Sequence, residues 1–252
     1  MRFIEDSPGT GLSAAKPGII AALPLEAACF AKVDIGPRSH RVIEGSLLYY
    51  GGVGAENAAR AARALMDLKV DALVSWGTAG ALDPRLGPGD IVLPTEVIDH
   101  ADGKRYSVNP YWHGVLGNKL HHKRIYSQGA IVSTRSVQSA PRQKAGLHRT
   151  TGAMAADMES AAIAAVAGTE EKPFIVIRSI SDTAAMHIPQ SAIHATDRYG
   201  KVSIPGLFAH LMKNPAELRH YPKLIRSLAK TKRSLREITE LCGFDLCLGE
   251  AL

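Results

Sequence analysis

The sequence predicts a three-layer α/β fold, in which helices cover both faces of a central β-sheet. Two observations indicate this class. Short apolar runs bounded by turn residues alternate along the chain with segments of helical periodicity, which is the pattern of strands joined by helices. The chain also has 252 residues, of which 46% are hydrophobic, and this is enough to bury the core of one such domain.

Seven segments have strand character, because they are short, apolar and closed by glycine, proline or polar residues. In chain order they are residues 18–23, 41–52, 71–76, 91–100, 124–134, 152–157 and 174–180. Between the third and fourth of them, the stretch from Gly77 to Asp90 contains so many glycines and prolines that we expect it to be irregular.

Helices are predicted between these strands. One runs from Asn57 to Leu68, where alanine, leucine and methionine fall on a single stripe. Another lies near Gln143 to Arg149, and an alanine-rich helix spans Met158 to Ala167. Beyond residue 204 the chain has helical segments without strand signals.

The C-terminal part of the chain concentrates positive charge. We expect an α/β domain over residues 1–203 and a basic helical extension over 204–252 that packs on the same domain. The formal net charge is +6, and six basic residues without an acidic one lie between Lys223 and Arg236. Because the preceding chain is nearly balanced, this charge does not indicate a nucleic-acid-binding protein.

One helix of this extension is amphipathic. Its apolar stripe consists of Leu224, Leu228, Leu235 and Ile238. One interpretation is a helix packed on the domain with a solvated basic face. The other is peripheral contact with an anionic membrane surface. The segment Ile204–Met212 has two interpretations as well, a core helix or the lining of an exit for a lipid.

Composition excludes several classes of protein and site. No stretch approaches the roughly 18 apolar residues of a membrane-spanning helix, and residues 1–11 lack the basic start and apolar run of a signal peptide. We therefore expect a cytoplasmic protein. The cysteines, Cys29, Cys242 and Cys247, lack the spacing of a zinc site and are interpreted as reduced structural thiols. No metal site is predicted from the scattered histidines.

Three polar clusters follow predicted strands, at the sheet edge where α/β proteins bind ligands. They are Gly77-Thr78-Ala79-Gly80, Asp157-Met158-Glu159-Ser160 and Ser181-Asp182. Each has an ordinary structural interpretation, as a turn or as a helix N-cap. Their shared position after strands indicates instead that they form one binding site.

The first cluster suits an anion or a sugar. Small residues allow the backbone N–H groups of Thr78, Ala79 and Gly80 to approach such a ligand, and Thr78 adds a hydroxyl. In the second cluster, the carboxylates of Asp157 and Glu159 can accept hydrogen bonds from a ribose diol. The thioether of Met158 can then pack on the sugar.

The remaining candidates carry acid–base chemistry. A purine leaves its ribose more readily when it is protonated, and a shielded carboxyl group can hold that proton. Asp182, next to Ser181, is the candidate acid. Glu26, just past the first strand, is either a surface helix charge or the base that activates a water nucleophile.

Five motifs together resemble the purine nucleoside phosphorylase and methylthioadenosine/S-adenosylhomocysteine nucleosidase superfamily. They occur in the family's order over residues 18–185 and read GIIAALPLE, GVGAENAA, VSWGTAGALDPRLGPGDIVLP, GAMAADMESAAIA and IVIRSISDTA. The resemblance implies a central mixed β-sheet, a small-molecule purine nucleoside as substrate, no cofactor, and a homo-oligomer of two or more subunits.

The resemblance also implies roles by position in the motifs. Glu26 looks like the glutamate that activates water in the nucleosidases, and Thr78 like their hydroxyl residue near the sugar. Met158 and Glu159 look like the ribose contacts, and Asp182 like the acid that protonates the base.

Beyond Ala185 the chain is similar to one branch, the hopanoid-associated phosphorylases, through its segment LFAHLMKNPAELRHYPKLIRSLAKTKRSLREI. This similarity implies removal of adenine from an adenosylated hopane lipid. The chain departs from the phosphorylases at Val74-Ser75-Trp76, where they place a phosphate-binding Arg, and it lacks their Gly-Asp-Pro loop. Phosphate as co-substrate and water as nucleophile both stay open.

Two alternatives remain. One is a hydrolase of the methylthioadenosine/S-adenosylhomocysteine nucleosidase type. The other, from a different class, is a catalytically silent nucleoside-binding protein, against which the intact Glu26, Glu159 and Asp182 argue.

Overall fold

The computed structural model of the chain describes residues 15–251. The prediction on residues 1–11, that they form no signal peptide, lies outside the described residues. In chain order the strands are β1 (Pro17–Ala21), β2 (Ser39–Ile43), β3 (Ser46–Tyr50), β4 (Ala72–Ala81), β5 (Ile91–Val92), β6 (Glu96–Asp99), β7 (Arg105–Ser107), β8 (Ile125–Tyr126), β9 (Ala130–Ser133), β10 (Ala155–Asp157) and β11 (Phe174–Asp182). The helices are α1 (Pro24–Phe30), α2 (Ala55–Asp67), α3 (Pro110–Lys119), α4 (Pro141–Thr151), α5 (Ser160–Thr169), α6 (Gln190–His194), α7 (Ile204–Lys213) and α8 (Tyr221–Cys242), with 3₁₀ turns at Pro215–His220 and Leu248–Glu250.

β4 is the centre of the sheet. It pairs in parallel with β1 and with β11, and its last two residues pair antiparallel with β10. The sheet continues from β1 through β3 to β2, and from β10 through β9 and β6 to β7. β11 also pairs antiparallel with β5, which pairs in parallel with β8. The mixed central sheet is therefore confirmed.

Helices cover both faces of this sheet. On one face α2 and α5 pack together, and their Leu65 and Ile163 share a core with Ile20 of β1. On the other face lie α1, α3 and α8, whose core includes Ile19 and Leu235. Neighbouring residues of a strand point to opposite faces, so Ile19 and Ile20 belong to different cores. The three-layer architecture is confirmed.

Several predicted elements differ in extent from the observed ones. Residues 41–52 form a hairpin, β2–β3, because Glu44 and Gly45 turn the chain with φ of +41° and +90°. Residues 91–100 and 124–134 each contain two short strands instead of one. Helix α3 was not predicted, and α5 begins at Ser160 instead of Met158.

The GTAG segment was wrongly predicted to be an irregular turn. It lies inside β4, because Gly77, Thr78 and Ala79 pair with β11 and Gly80 pairs with β10. A segment made of small residues lacks the β-branched and aromatic signal of a strand, so its hydrogen-bond partners decide its conformation. Ser181 and Asp182 likewise complete β11 instead of following it.

The C-terminal extension includes a helix that packs on the sheet. In α8, Leu235 and Ile238 are fully buried, and the Thr231 hydroxyl donates to the carbonyl of Ile180 at 2.7 Å. The basic residues of α8 stay exposed. After α8, the Trp112 indole N–H donates to the carbonyl of Leu246 at 2.7 Å and fixes the tail. Within residues 15–251, no helix has the length and apolar character to span a bilayer.

Candidate active site

Glu26 lies in the first turn of α1 and is only 2% exposed. Its carboxylate accepts four hydrogen bonds, from the backbone N–H of Ala22 and Leu23 at 3.0 Å each and from the N–H and hydroxyl of Thr78 at 2.8 and 2.9 Å. Burial raises the pKa of Glu26, while the charge of Arg178 and the Thr78 bonds oppose the rise. A fixed carboxylate with an increased affinity for a proton has the properties of a general base.

β4 approaches this carboxylate closely because residue 77 is glycine. With φ at +153°, a Cβ at Gly77 would collide with the Glu26 carboxyl group and lie 2.6 Å from Nη1 of Arg178. Arg178 pairs with Gly77 in the β4–β11 ladder. The indole N–H of Trp76 donates to the carbonyl of Glu26 at 3.1 Å and ties α1 to β4.

Arg178 is the positive centre of the site and is 1% exposed. Its Nε and Nη2 donate to Oδ2 of Asp157 at 3.0 and 2.7 Å, and Nη2 also donates to the hydroxyl of Ser75 at 2.7 Å. The hydroxyls of Ser133, at 2.5 Å, and Ser160 donate to Asp157 as well. These partners occupy both oxygens of Asp157, which therefore anchors Arg178.

Glu159 is the N-cap residue of α5 and is 7% exposed. Its Oε1 accepts from the N–H of Gly54 at 2.8 Å, and its Oε2 lies 4.0 Å from Nη2 of Arg178. Burial, followed by the negative charge of Asp157, raises the pKa of Glu159 to about 7. Met158, just before it, is half-buried. A carboxyl group that titrates near neutrality can exchange hydrogen bonds with a hydroxyl in either protonation state.

Asp182 ends β11 and is 3% exposed. Its Oδ1 accepts from the Ser181 hydroxyl at 2.6 Å, and its Oδ2 forms an ion pair with the ammonium of Lys144. A Cβ at Gly80 would lie 3.0 Å from Oδ2, so the glycine leaves room for this carboxylate. The side chain of Ala79 is buried in the core, and only its backbone is available to a ligand.

The predicted residues form two groups along one pair of strands. Glu26, Thr78, Asp157 and Glu159 surround Arg178, at the level of Gly77 in the ladder. Ser181 and Asp182 lie at the level of Gly80. Three residues of strand separate the levels by about 10 Å. The ribose candidates and the base-protonating candidate therefore occupy successive positions on the same sheet edge.

A segment after α6 lies over the first group. The N–H of Val53 donates to the carbonyl of Arg198 at 2.8 Å, and Gly200 packs against Leu23. Val53 precedes the Gly54 that binds Glu159, and Leu23 is one of the residues that bind Glu26. Residues 197–200 thus contact both sides of the site before the chain enters α7.

Sequence reasoning missed Arg178 and Lys144. The sequence did indicate a role for Arg178, since it is a charged residue within the apolar run FIVIRSI, and a charge in a core strand needs a partner. It gave no indication for Lys144, because a lysine in a polar helix is ordinarily solvated. Among residues 15–251, no group of three or more His, Cys, Asp or Glu side chains is placed to hold a metal ion.

The chain is similar to known proteins. The model of the phosphorylase superfamily matches residues 16–202. The 5'-methylthioadenosine/S-adenosylhomocysteine nucleosidase of Bacillus licheniformis is 30% identical over 182 residues, which are 60% of this chain and 77% of that protein.

Similar solved structures include the nucleosidase of the same name from Helicobacter pylori, with a TM-score of 0.64 and 17% identity over 90% of this chain and 98% of that chain. Futalosine hydrolase of Helicobacter pylori has a TM-score of 0.62 and 18% identity over 90% and 98% of the two chains. At these identities the solved structures show the shared fold.

Proposed function

The chain belongs to the phosphorylase superfamily, and we propose that it hydrolyses the N-glycosidic bond of an adenine nucleoside and releases free adenine. One observation carries the proposal. Arg178, which Glu26 and Glu159 approach, and Asp182 belong to one strand, β11, at positions paired with Gly77 and Gly80 of β4, so the candidate base, ribose-binding carboxylate and acid lie along one strand pair.

The charges around Arg178 favour water over phosphate as the nucleophile. Burial opposes the guanidinium charge, but Asp157, Glu159 and Glu26 together raise the pKa of Arg178. A cation that three carboxylates surround has little attraction left for a phosphate anion. A neutral water avoids this repulsion and needs a base, which Glu26 supplies.

The Thr78 hydroxyl is the one donor to Glu26 that a water molecule can replace. Three of the four donors to Glu26 are backbone N–H groups and cannot turn away, whereas the Thr78 hydroxyl can rotate. When it rotates toward a water molecule, one lone pair of Glu26 becomes free to accept the water proton. The hydroxide that forms attacks the anomeric carbon of the ribose.

Binding of the ribose and departure of the purine complete the proposed reaction. Glu159 accepts hydrogen bonds from the ribose hydroxyls, with Met158 packed on the sugar and the backbone of Thr78, Ala79 and Gly80 alongside. Asp182, held by Ser181, delivers a proton to the purine, which then leaves as a neutral molecule. Asp157 contributes indirectly, because it fixes Arg178.

Among adenine nucleosides, we propose an adenosylated hopanoid as the substrate. Helix α7, which follows the segment over the site, is the evidence for a substrate with a lipid tail. Ile204, Phe208 and Met212 recur every fourth residue on one face of α7 and are 59%, 66% and 81% exposed. Such an apolar face can receive a hydrocarbon group that leaves the site.

The proposed location follows from this substrate. We propose a cytoplasmic protein, a dimer or larger, that contacts the inner membrane surface peripherally. The apolar stripe of α8 is used in packing, since Leu235 and Ile238 are buried, so the contact would use the exposed basic face of α8 and the apolar face of α7.

The test is release of adenine from adenosine, methylthioadenosine, S-adenosylhomocysteine and adenosylhopane, each with and without phosphate. We expect release that does not depend on phosphate, and incorporation of the oxygen of ¹⁸O-labelled water at the anomeric carbon. Formation of ribose 1-phosphate would overturn the hydrolytic assignment. Failure of all four substrates to release base would overturn the function itself.

Two alternatives have distinct outcomes in the same experiment. A methylthioadenosine/S-adenosylhomocysteine nucleosidase would prefer the two thio-substituted substrates to adenosylhopane. A silent nucleoside-binding protein would gain thermal stability with these nucleosides and release no adenine.

A further inference from the structure

Lys144 is a fully buried lysine on α4, with no solvent-exposed surface. Its ammonium pairs with Oδ2 of Asp182 and donates to the carbonyls of Thr183 and Met186 at 2.8 and 3.1 Å. Each of its three protons therefore has an acceptor. Burying an ammonium is costly unless it is paired in this way, so the fold holds a charge at this position despite the cost.

Among the described residues, Lys144 forms an ion pair with Asp182 and with no other carboxylate. The other oxygen of Asp182 accepts from Ser181, and Gly80 of β4 leaves room at Oδ2. Arg178 is committed to Asp157. On α4, His148 bonds to the carbonyl of Ala153. Among the described residues, Lys144 is thus the cation that contacts the proposed acid.

We propose that Lys144 is a positioning residue that supplies Asp182 with the proton it delivers to the leaving purine. The inference rests on the function proposed above. An ion pair and a neutral carboxylic acid–amine pair differ only in the position of one proton along the Nζ–Oδ2 hydrogen bond. Both side chains are buried, and burial penalises both charges, which favours the neutral arrangement over that of the same pair in water.

The proton step balances. As the glycosidic bond breaks, its electron pair goes to the purine nitrogen. The proton that Lys144 passed to Oδ2 of Asp182 moves on to the purine ring, which leaves a carboxylate on Asp182 and an amine on Lys144. After adenine departs, the amine takes up the proton that Glu26 removed from water, by exchange with solvent.

The test compares two leaving groups on the same ribose. One substrate is the best adenine nucleoside of the wild-type enzyme. The other carries the same 5′ group with 4-nitrophenol in place of adenine, a leaving group that departs as an anion without a proton. The variants are Lys144→Arg, which keeps the charge but holds its protons more tightly, and Lys144→Met, which removes the charge. Arg142→Met, on the exposed side of the same helix, is the matched control.

We expect Lys144→Arg and Lys144→Met to lower kcat for the adenine nucleoside by about 100-fold or more, while KM and turnover of the nitrophenyl riboside stay nearly unchanged. Asp182→Asn should show the same selective loss, and Arg142→Met should lose neither activity. Equal loss on both substrates, or wild-type kcat in both Lys144 variants, would overturn the proposal. An inactive wild-type enzyme would instead contradict the proposed function.

Discussion

At the scale of single residues, the site gathers more carboxylates than its one guanidinium can neutralise. Asp157 takes the direct ion pair with Arg178, while Glu159 lies 4.0 Å from it and Glu26 is bound chiefly by N–H and hydroxyl donors. Burial raises the pKa of both glutamates, and the negative charges of Asp157 and Glu26 raise that of Glu159 further. The two buried glutamates therefore lower the free energy of unfolding by an amount that depends on pH.

Glu159→Gln should reveal this cost. The pKa of Glu159 is about 7 in the folded protein and 4.5 when unperturbed, so the native state binds more protons, and stability falls as pH rises between these values. Above pH 7, we expect the free energy of unfolding of the variant to exceed that of the wild type by on the order of 1–3 kcal/mol. The difference should vanish below pH 4.5. Urea unfolding at several pH values measures it, and a gain independent of pH would refute the explanation.

Glu26→Gln should separate chemistry from binding. Glutamine keeps the volume and one of the two acceptor oxygens but cannot accept the water proton. We expect kcat for adenine release to fall by about 10²- to 10⁴-fold with little change in KM. Glu56→Gln, at an exposed position of α2, is the control and should be fully active. If the Glu26 variant retained wild-type kcat, Glu26 could not be the base.

At the scale of elements, the β4–β11 ladder positions the chemistry. The register pairs Gly77 with Arg178 and Gly80 with Asp182, with a bulge between Ile180 and Asp182 that lets the last residue reach its partner. Glycines at these positions allow charged side chains to lie against the strand where a Cβ would exclude them. The glycine-rich segment is therefore part of the sheet for a steric reason.

Gly77→Ala should disrupt the site through β4. Its methyl group would meet both the Glu26 carboxyl group and Arg178, at a φ that alanine rarely adopts. We expect loss of adenine release and a destabilisation of about 2 kcal/mol or more, measured by activity and thermal unfolding. Gly114→Ala, in α3 where a Cβ meets nothing within 4 Å, should be neutral or slightly stabilising. Equal behaviour of the two variants would exclude the steric argument.

The elements also explain which features the sequence could predict. Short apolar runs such as β11 were predictable, because a hydrophobic segment of that length between turn residues favours a buried strand. The assignment of GTAG to a strand was not predictable, since it depends on hydrogen bonds to two strands distant in sequence. The candidates Glu26, Glu159 and Asp182 were found by type and position. Lys144 was out of reach, because its charge is explained only by tertiary contacts with the loop after β11.

At the scale of the whole molecule, the candidate active site and the exposed apolar residues lie in different parts of the chain. The catalytic candidates lie on the sheet edge, while the exposed apolar residues concentrate in the region from Val202 to Ile225. Basic side chains from Lys201 to Arg236 accompany them, against a single acidic residue, Glu217, in the same stretch. A second copy of so basic a surface would be repelled, whereas an anionic bilayer would be attracted.

A double variant, Phe208→Ser with Met212→Ser, should weaken membrane binding. We expect less protein to cosediment with vesicles of phosphatidylglycerol and phosphatidylcholine, and unchanged turnover of water-soluble adenosine. Val42→Ser removes an equally exposed apolar side chain from β2 and should bind vesicles as the wild type does. Wild-type cosedimentation of the double variant would rule out α7 as the contact surface, and a shift in oligomeric state would assign the face to a second copy.

The two tryptophans make the candidate active site and the C-terminal tail separately observable. Both indoles are buried, and each donates its one N–H to a different part of the molecule: Trp76 to Glu26 at the site, and Trp112 to Leu246 in the C-terminal tail. The chain therefore contains two intrinsic fluorophores with distinct positions. In Trp112→Phe the remaining emission reports on ligand entry beside Glu26, and in Trp76→Phe it reports on detachment of the tail, so spectroscopy can follow either event without an added dye.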